Sequence, residues 1–585
     1  MKGRMILLLV VAGLWIGGLG LRLVWLQVLQ HEAYLQAASR QQHDGVELRG
    51  PRGTIYDVRG RVLAVSVPAD SAWADPKLLP DPSSMARGVV SILGGDAEEL
   101  ARQLTAARDD GSRFFWLGRK LEPPQVTALE ALALPGLYFM EESRRYYPMG
   151  SLAASVLGFV GTDDLGLAGL ELTREDVLAG QVVRRTLLRD ARLTRAAPPD
   201  LPFPEVPPGG DLHLTLDAAL QHIVEDELAR TVQMHRARGG SSIWLDPRDG
   251  RVLAMASYPG FDPNRFGRYE RELWRNRVIE DAYEPGSTFK MVTAAAALKH
   301  NVLDPTDELD CQMGSIRVSG TRINDHKPFG ILTFRDVIAH SSNVGAILAG
   351  LRVGPEDLHH MAGAFGFGRP TGIDLPGESA GILHPADGWR PVHTATVAFG
   401  QGVSVTPIQL ALAFAAIADG GVSRRPWVVA AAGSDHANGR GQVIARPVSQ
   451  PVAREVERML EAVVEGGTGQ RAAVPGYAVA GKTGTAQKAR EDGRGYAAGR
   501  YIASFVGFVP ARDPVLVGLV MIDEPRPPAY HGGQVAAPAF GAIARRALLY
   551  LGVPREPAAP EVPAPAVLAR DAIGGNGGMA AEVRD

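Results

Sequence analysis

Cysteine is almost missing from this chain: Cys311 is the only one in 585 residues, so an internal disulfide and a cysteine-rich zinc site are both excluded. An excess of either charge is missing too. With 61 basic and 64 acidic residues the formal net charge is −3, and no global basic field exists to attract nucleic acid or an anionic surface. No repeat of fixed period is present. The pair His359-His360 and the acidic group Asp307, Glu308 and Asp310 lack a ligand pattern, so neither a metal nor a cofactor is expected.

What is there is size and apolar content. A hydrophobic fraction of 45% over this length fills at least two cores, and 68 glycines with 42 prolines indicate many turns and some unstructured linker. Residues 5–29, MILLLVVAGLWIGGLGLRLVWLQVL, form an apolar run interrupted only by Arg22 and Gln27. About 20 helical residues cross a hydrocarbon core, and no small-residue cleavage site is evident, so the run reads as one uncleaved membrane anchor. Lys2 and Arg4 favour a cytoplasmic residue 1–4 segment, with everything after the anchor outside the cytoplasm. Gly13 and Gly17 have the GxxxG spacing of a transmembrane helix interface, or are simply glycines scattered in an apolar helix.

Beyond the anchor, residues 30–210 mix short strand-like runs with amphipathic helices such as 97–110, and RGPRGTIYDVRGRVLA (49–64) reads as a solvated hairpin. Six prolines and two glycines in residues 196–210 mark a boundary. The segment 211–553 then alternates strand and helix patterns: Asp217 caps a helix whose stripe is Leu220, Ile223, Val224, Leu228 and Val232, and a hairpin follows over 241–257. Residues 503–510 and 514–523 look like central strands, giving an α+β or α/β domain built on an antiparallel sheet flanked by helices. The tail 554–585 has few large apolar residues and reads as disordered.

Chemistry enters at YEPGSTFK (283–290). Ser287 lies at a helix N-terminus, where unpaired amides favour a negative oxygen, and Lys290 follows one turn later on the same face, within reach of the hydroxyl. A serine needs such a base, and a lysine serves only if its pKa is lowered. Alone, the pair is better described as a helix cap beside a solvated lysine. Two further stretches change the balance: SSN at 341–343 enters another helix, and KTGT at 482–485 reads as an edge strand. The set S-x-x-K, S-x-N, K-T-G, in that order, is the signature of serine penicillin-recognising enzymes.

These stretches, with FGFGRPTGIDLPGE (365–378), AFGQGVSVTPIQLA (398–411) and AGKTGTAQK (480–488), resemble the class B penicillin-binding proteins. The likeness continues upstream through RGPRGTIYD (49–57), FWLGRKL (115–121) and RRYYPMGSLAASVLGFVG (144–161), and is greatest to the septal, division-specific FtsI type. One departure is DVRG at 57–60, where the family more often has D-R-N-G or D-R-D-G. The resemblance implies a transpeptidase fold after an elongated, dimerisation-type pedestal, and D,D-transpeptidation of peptidoglycan stem peptides, with β-lactams as inhibitors. It further implies that Ser287 attacks the carbonyl between two terminal D-alanines, that Lys290 takes its proton, and that Ser341 relays a proton to the leaving residue. Asn343 would hold the peptide amide, Lys482 would add positive charge, Thr483 and Thr485 would bind the substrate carboxylate, and the amides of Ser287 and Thr485 would hold the oxyanion. Gly484 suits close approach of a substrate strand. His340 is read as structural, and Arg144 and Arg145 as stabilising a domain junction. The family further implies the glycan polymerase FtsW as a membrane partner. An elongation-type relative and a scaffold that activates a polymerase are the alternatives; the anchor and the pedestal speak against a β-lactamase.

Overall fold

In the computed structural model of the protein, residues 2–25, 43–188, 206–433, 435–436, 441–490 and 495–556 are described. The N-terminal helix α1 (Lys2–Val24) is strongly apolar over Gly3–Val24, with Arg4 and Arg22 as its charged residues, and that span is not buried against the rest of the chain. Its 23 residues reach about 34 Å, enough to cross a membrane. The last residues of the expected anchor, most of the proline-rich linker and nearly all of the tail lie outside the described residues.

The N-terminal region is organised on a long antiparallel ribbon. Strand β1 (Val62–Ala74) pairs with β2 (Leu137–Tyr146) continuously from Val65 opposite Tyr146 to Ala74 opposite Leu137. Two helices, Pro82–Leu93 and Ala97–Asp109, begin at Asp81 and Asp96, whose carboxylates accept first-turn amide protons and so satisfy donors that the helix leaves unpaired. Met85, Val89, Leu104 and Leu129 close a small separate core with Ala72 and Ala74 of the ribbon.

The 49–64 hairpin does more than the sequence suggests. Its first strand, Ile55–Tyr56, pairs with β1 on one side and runs parallel to Leu212–Leu214 on the other, and that strand in turn pairs with Val429–Ala432. One sheet therefore passes from the N-terminal region into the C-terminal body. Arg52 is not solvated: it is buried, 2.9 Å from Glu171, and Arg145 of β2 donates to the same carboxylate at 2.6 Å. Arg59 and Arg61 reach Asp217, so the hairpin is pinned to the start of the next helix. The physical reason is that Asp217 and Glu171 would otherwise be carboxylates taken out of water without a partner. Arg145 and Arg144, expected at the domain junction, both pair inside the N-terminal region, with Glu171 and Glu122.

The C-terminal body runs through helix α2 (Ala218–Met234), the hairpin of β3 (Gly239–Leu245) and β4 (Val252–Tyr258), and helices α3 (Lys290–Lys299), α4 (Phe334–His340) and α5 (Asn343–Val353). Strands β5 (Ala480–Ala489), β6 (Tyr496–Val509) and β7 (Leu516–Asp523) follow, and α6 (Gly532–Leu551) closes it. The sheet order is β5-β6-β7-β3-β4, antiparallel at every step. Strand alternation splits the apolar residues between two cores: Ile243 and Leu245 face the helices that include α3 and α5, while Trp244 faces α2 and α6. Trp244 stacks on Phe540 at 5.0 Å, and residue 518 must be glycine because a Cβ there would meet the Trp244 ring at 2.6 Å. Leu220, Val224, Leu228 and Val232 are buried as the α2 stripe predicts, each contributing about 1.5–3 kcal/mol, with Ile223 only partly covered. This architecture leaves β5 as an outer strand, with the N-terminus of α3 packed against it.

Candidate active site

Residues 286–289 form a tight 3₁₀ turn that runs straight into α3. Gly286 is left-handed, its N–H bonds the Gly400 carbonyl at 3.0 Å, and a Cβ there would lie 3.4 Å from the Thr485 carbonyl oxygen. The turn is thereby pressed against β5 beside Thr485. Ser287 is half-buried and opens into a cleft of about 810 Å³ that Ser341, Asn343, Thr483, Thr485 and Arg471 also line.

Lys290 is fully buried on the first turn of α3. Its amine donates to the Ser341 carbonyl at 2.6 Å, the Ser341 Oγ at 3.3 Å and the Asn343 Oδ1 at 2.8 Å. The sequence placed it on Ser287, but an ammonium has three protons and all three are engaged by the SSN stretch; among the described residues Ser287 Oγ makes no hydrogen bond. Burial pushes the Lys290 ammonium down to about 7, with Asp325 opposing that shift. Lys482 is equally buried, and desolvation with the nearby Lys290 charge holds it well below the usual lysine range. Its Nζ lies 2.9 Å from Ser341 Oγ, so this one hydroxyl sits between two lysine amines.

Ser341 is held in a left-handed conformation, φ 62°, at the end of α4. A serine in that region is strained, and the flanking contacts hold it there. Ser342 caps α5 by accepting the Gly345 N–H at 3.0 Å. His340 stacks with Phe329 and makes no contact with the reacting groups, in keeping with a structural role.

On β5 the alternation sends Thr483 and Thr485 to the cleft. Thr483 Oγ1 bonds Thr468 Oγ1 at 2.8 Å, and Thr485 Oγ1 accepts the Gly532 N–H at 3.0 Å. At Gly484 an added Cβ would lie 2.4 Å from Ser504 Oγ and 2.9 Å from Thr288 Cγ2, so its small size also serves packing of the 286–289 turn on the strand. Sequence reasoning missed Asp325, Thr468 and Arg471, which no spacing rule connects with the three stretches; only the fold carries them to the cleft.

Residues 240–545 match the penicillin binding protein transpeptidase domain, and residues 47–196 match the penicillin-binding protein dimerisation domain. The chain is 36% identical over 546 residues to stage V sporulation protein D of Bacillus subtilis, covering 91% of this chain and 83% of that one. It is 34% identical over 530 residues to the peptidoglycan D,D-transpeptidase FtsI of Escherichia coli, covering 89% and 87%. Among solved structures it resembles penicillin binding protein 3 of Mycobacterium tuberculosis complexed with ampicillin, at 30% identity and a TM-score of 0.68, over 88% of this chain and 99% of that one. With both domains matched, and with a serine, two buried lysines and an edge strand assembled around one cleft, the chain belongs to the class B penicillin-binding proteins.

Proposed function

We infer that this protein is a peptidoglycan D,D-transpeptidase working through a serine acyl-enzyme. The carrying observation is the Ser341 hydroxyl set between two buried lysine amines at 3.3 and 2.9 Å, one of them lowered to about 7 by burial. A lysine poised there exchanges a proton near neutral pH, which an ordinary surface lysine does not.

In this reading a stem peptide adds to β5 as a further strand. Ser287 Oγ attacks the carbonyl of the penultimate D-alanine as neutral Lys290 accepts its proton, and the oxyanion lies between the amides of Ser287 and Thr485. Each such donor is worth about 10²–10³-fold. Ser341, bonded to both lysines, passes a proton to the departing D-alanine, while Asn343 orients the peptide amide. Thr483 and Thr485 receive the substrate carboxylate, with Lys482 close behind them. The amine of a second stem peptide then attacks the ester carbonyl, which forms the cross-link and frees Ser287.

The chain is assigned as a cytoplasmic segment at 1–4, an anchor at 5–29, a pedestal at 30–210, the catalytic domain at 211–553 and a tail at 554–585. The catalytic domain is assigned to the outer side of the membrane, on the charge of Lys2 and Arg4. The likeness to a protein named FtsI supports a septal role beside the glycan polymerase FtsW.

The test is labelling of the purified protein with a fluorescent penicillin, beside Ser287→Ala. A covalent label that maps to Ser287, persists for many minutes and is lost in the variant is expected. Rapid turnover of the drug would instead indicate a β-lactamase, and absence of label from the parent protein would remove the acyl-transfer reading.

A further inference from the structure

Asp325 lies just after the strand Thr321–Asn324 and lines the cleft. Its carboxylate has no ion-pair partner among the described residues and spends every bond on residues 342–344. Oδ1 accepts the backbone N–H groups of Asn343 and Val344, the latter at 3.1 Å, and Oδ2 accepts the Ser342 hydroxyl at 2.7 Å. Those two amides are among the donors the first turn of α5 leaves unpaired, and the carboxylate also meets the positive end of that helix. The neighbouring Asn324 carbonyl accepts from Asn343 Nδ2 at 3.0 Å, which turns Asn343 Oδ1 toward the Lys290 amine. One short segment, remote in sequence from all three stretches, thus clamps the peptide that presents Ser341 to both lysines.

We propose that Asp325 is a positioning residue for acyl transfer: it fixes Ser341, Ser342 and Asn343 against the lysine pair and supplies the negative charge that acts on Lys290. This rests on the acyl-transfer reading above. Its geometric half is the three bonds to Ser342, Asn343 and Val344. Its electrostatic half is charge: Asp325 favours the protonated form of Lys290, opposing the burial that lowers it. The other titratable groups around Lys290 are Lys482 on β5, reached through Ser341, the buried Cys311, and His326 on the cleft wall.

The experiment is the second-order rate of acylation by a fluorescent penicillin between pH 5 and 9, on the full-length protein in detergent. Asp325→Asn keeps the size and removes the charge. The expected result is acylation slower by about tenfold to a hundredfold, as for a misplaced reacting group. Its acid limb should also move to lower pH by about half a unit or more, because a lost negative neighbour makes Lys290 easier to deprotonate. A rate within about threefold of the parent, or a slower rate with the limb unmoved, overturns the proposal, since a plain helix cap changes height and not position. Should the asparagine variant not fold, Asp325→Glu decides. That variant keeps the charge and displaces it, so a slower rate with the limb unmoved is expected, and parental speed overturns the proposal. Failure of the parent protein to label at Ser287 would sink the acyl-transfer reading itself, which separates the two outcomes.

Discussion

At the scale of single residues the proposed chemistry turns on Lys290. Its proton must be gone before it can accept one from Ser287, and burial sets that loss at about 7. Acylation by a β-lactam should therefore rise with pH through a midpoint near 7 and fall about tenfold per unit well below it. Rapid-quench rates over that range measure it; a flat profile would show that Lys290 is not the base. Lys290→Ala should be slower by about 10²–10⁴-fold and lose the limb. Sequence spacing was enough to select Ser287, Lys290, Ser341, Asn343 and Lys482, because each sits in a short stretch whose order is informative. It did not reach Asp325, which meets the site only through a fold contact, nor the packing of Gly484 against the 286–289 turn, because the pattern alone does not say which face of an outer strand meets a packed turn.

At the scale of elements, the start of α2 shows how much one cap can hold. Asp217 accepts the Ala219 and Leu220 amides, pairs with Arg59 and Arg61, and takes a hydrogen bond from the Tyr550 hydroxyl of α6 at 3.0 Å. These bonds hold its carboxyl below the usual range despite burial. A depressed folded-state pKa contributes stability above the unfolded value, about 3.9, and that contribution is lost as pH falls through the folded value. Asp217→Asn should accordingly lower the melting temperature at pH 7, by the equivalent of about 1–2 kcal/mol for a lost cap. The gap from the parent should narrow as pH drops below about 4, and melts at pH 7 and pH 3.5 check it. The cap itself was legible from the sequence, since an aspartate stood before an apolar helical stripe. Its arginines were not, because a hairpin 150 residues earlier gives no local sign of where it will dock.

At the scale of the whole molecule, the chain joins an apolar N-terminal helix to a body whose cleft lies far along the sequence. Gly13 and Gly17 lie on the exposed surface of α1, with nothing of this chain within 4 Å of a Cβ built on either. That leaves their face open to another helix in the bilayer. Gly13→Leu with Gly17→Leu should reduce co-purification with the division polymerase while leaving penicillin labelling intact. Unchanged recovery would remove the helix interface, and selective recovery of an elongation polymerase would overturn the septal assignment. The sheet that passes from β1 through Ile55–Tyr56 into Leu212–Leu214 and Val429–Ala432 has a mechanical meaning. A hinge would absorb a pull on the pedestal by bending. A sheet loaded along its strands resists in shear, with its rungs sharing the force. Tension exerted on the N-terminal region is therefore passed to the C-terminal body through these hydrogen-bonded rungs.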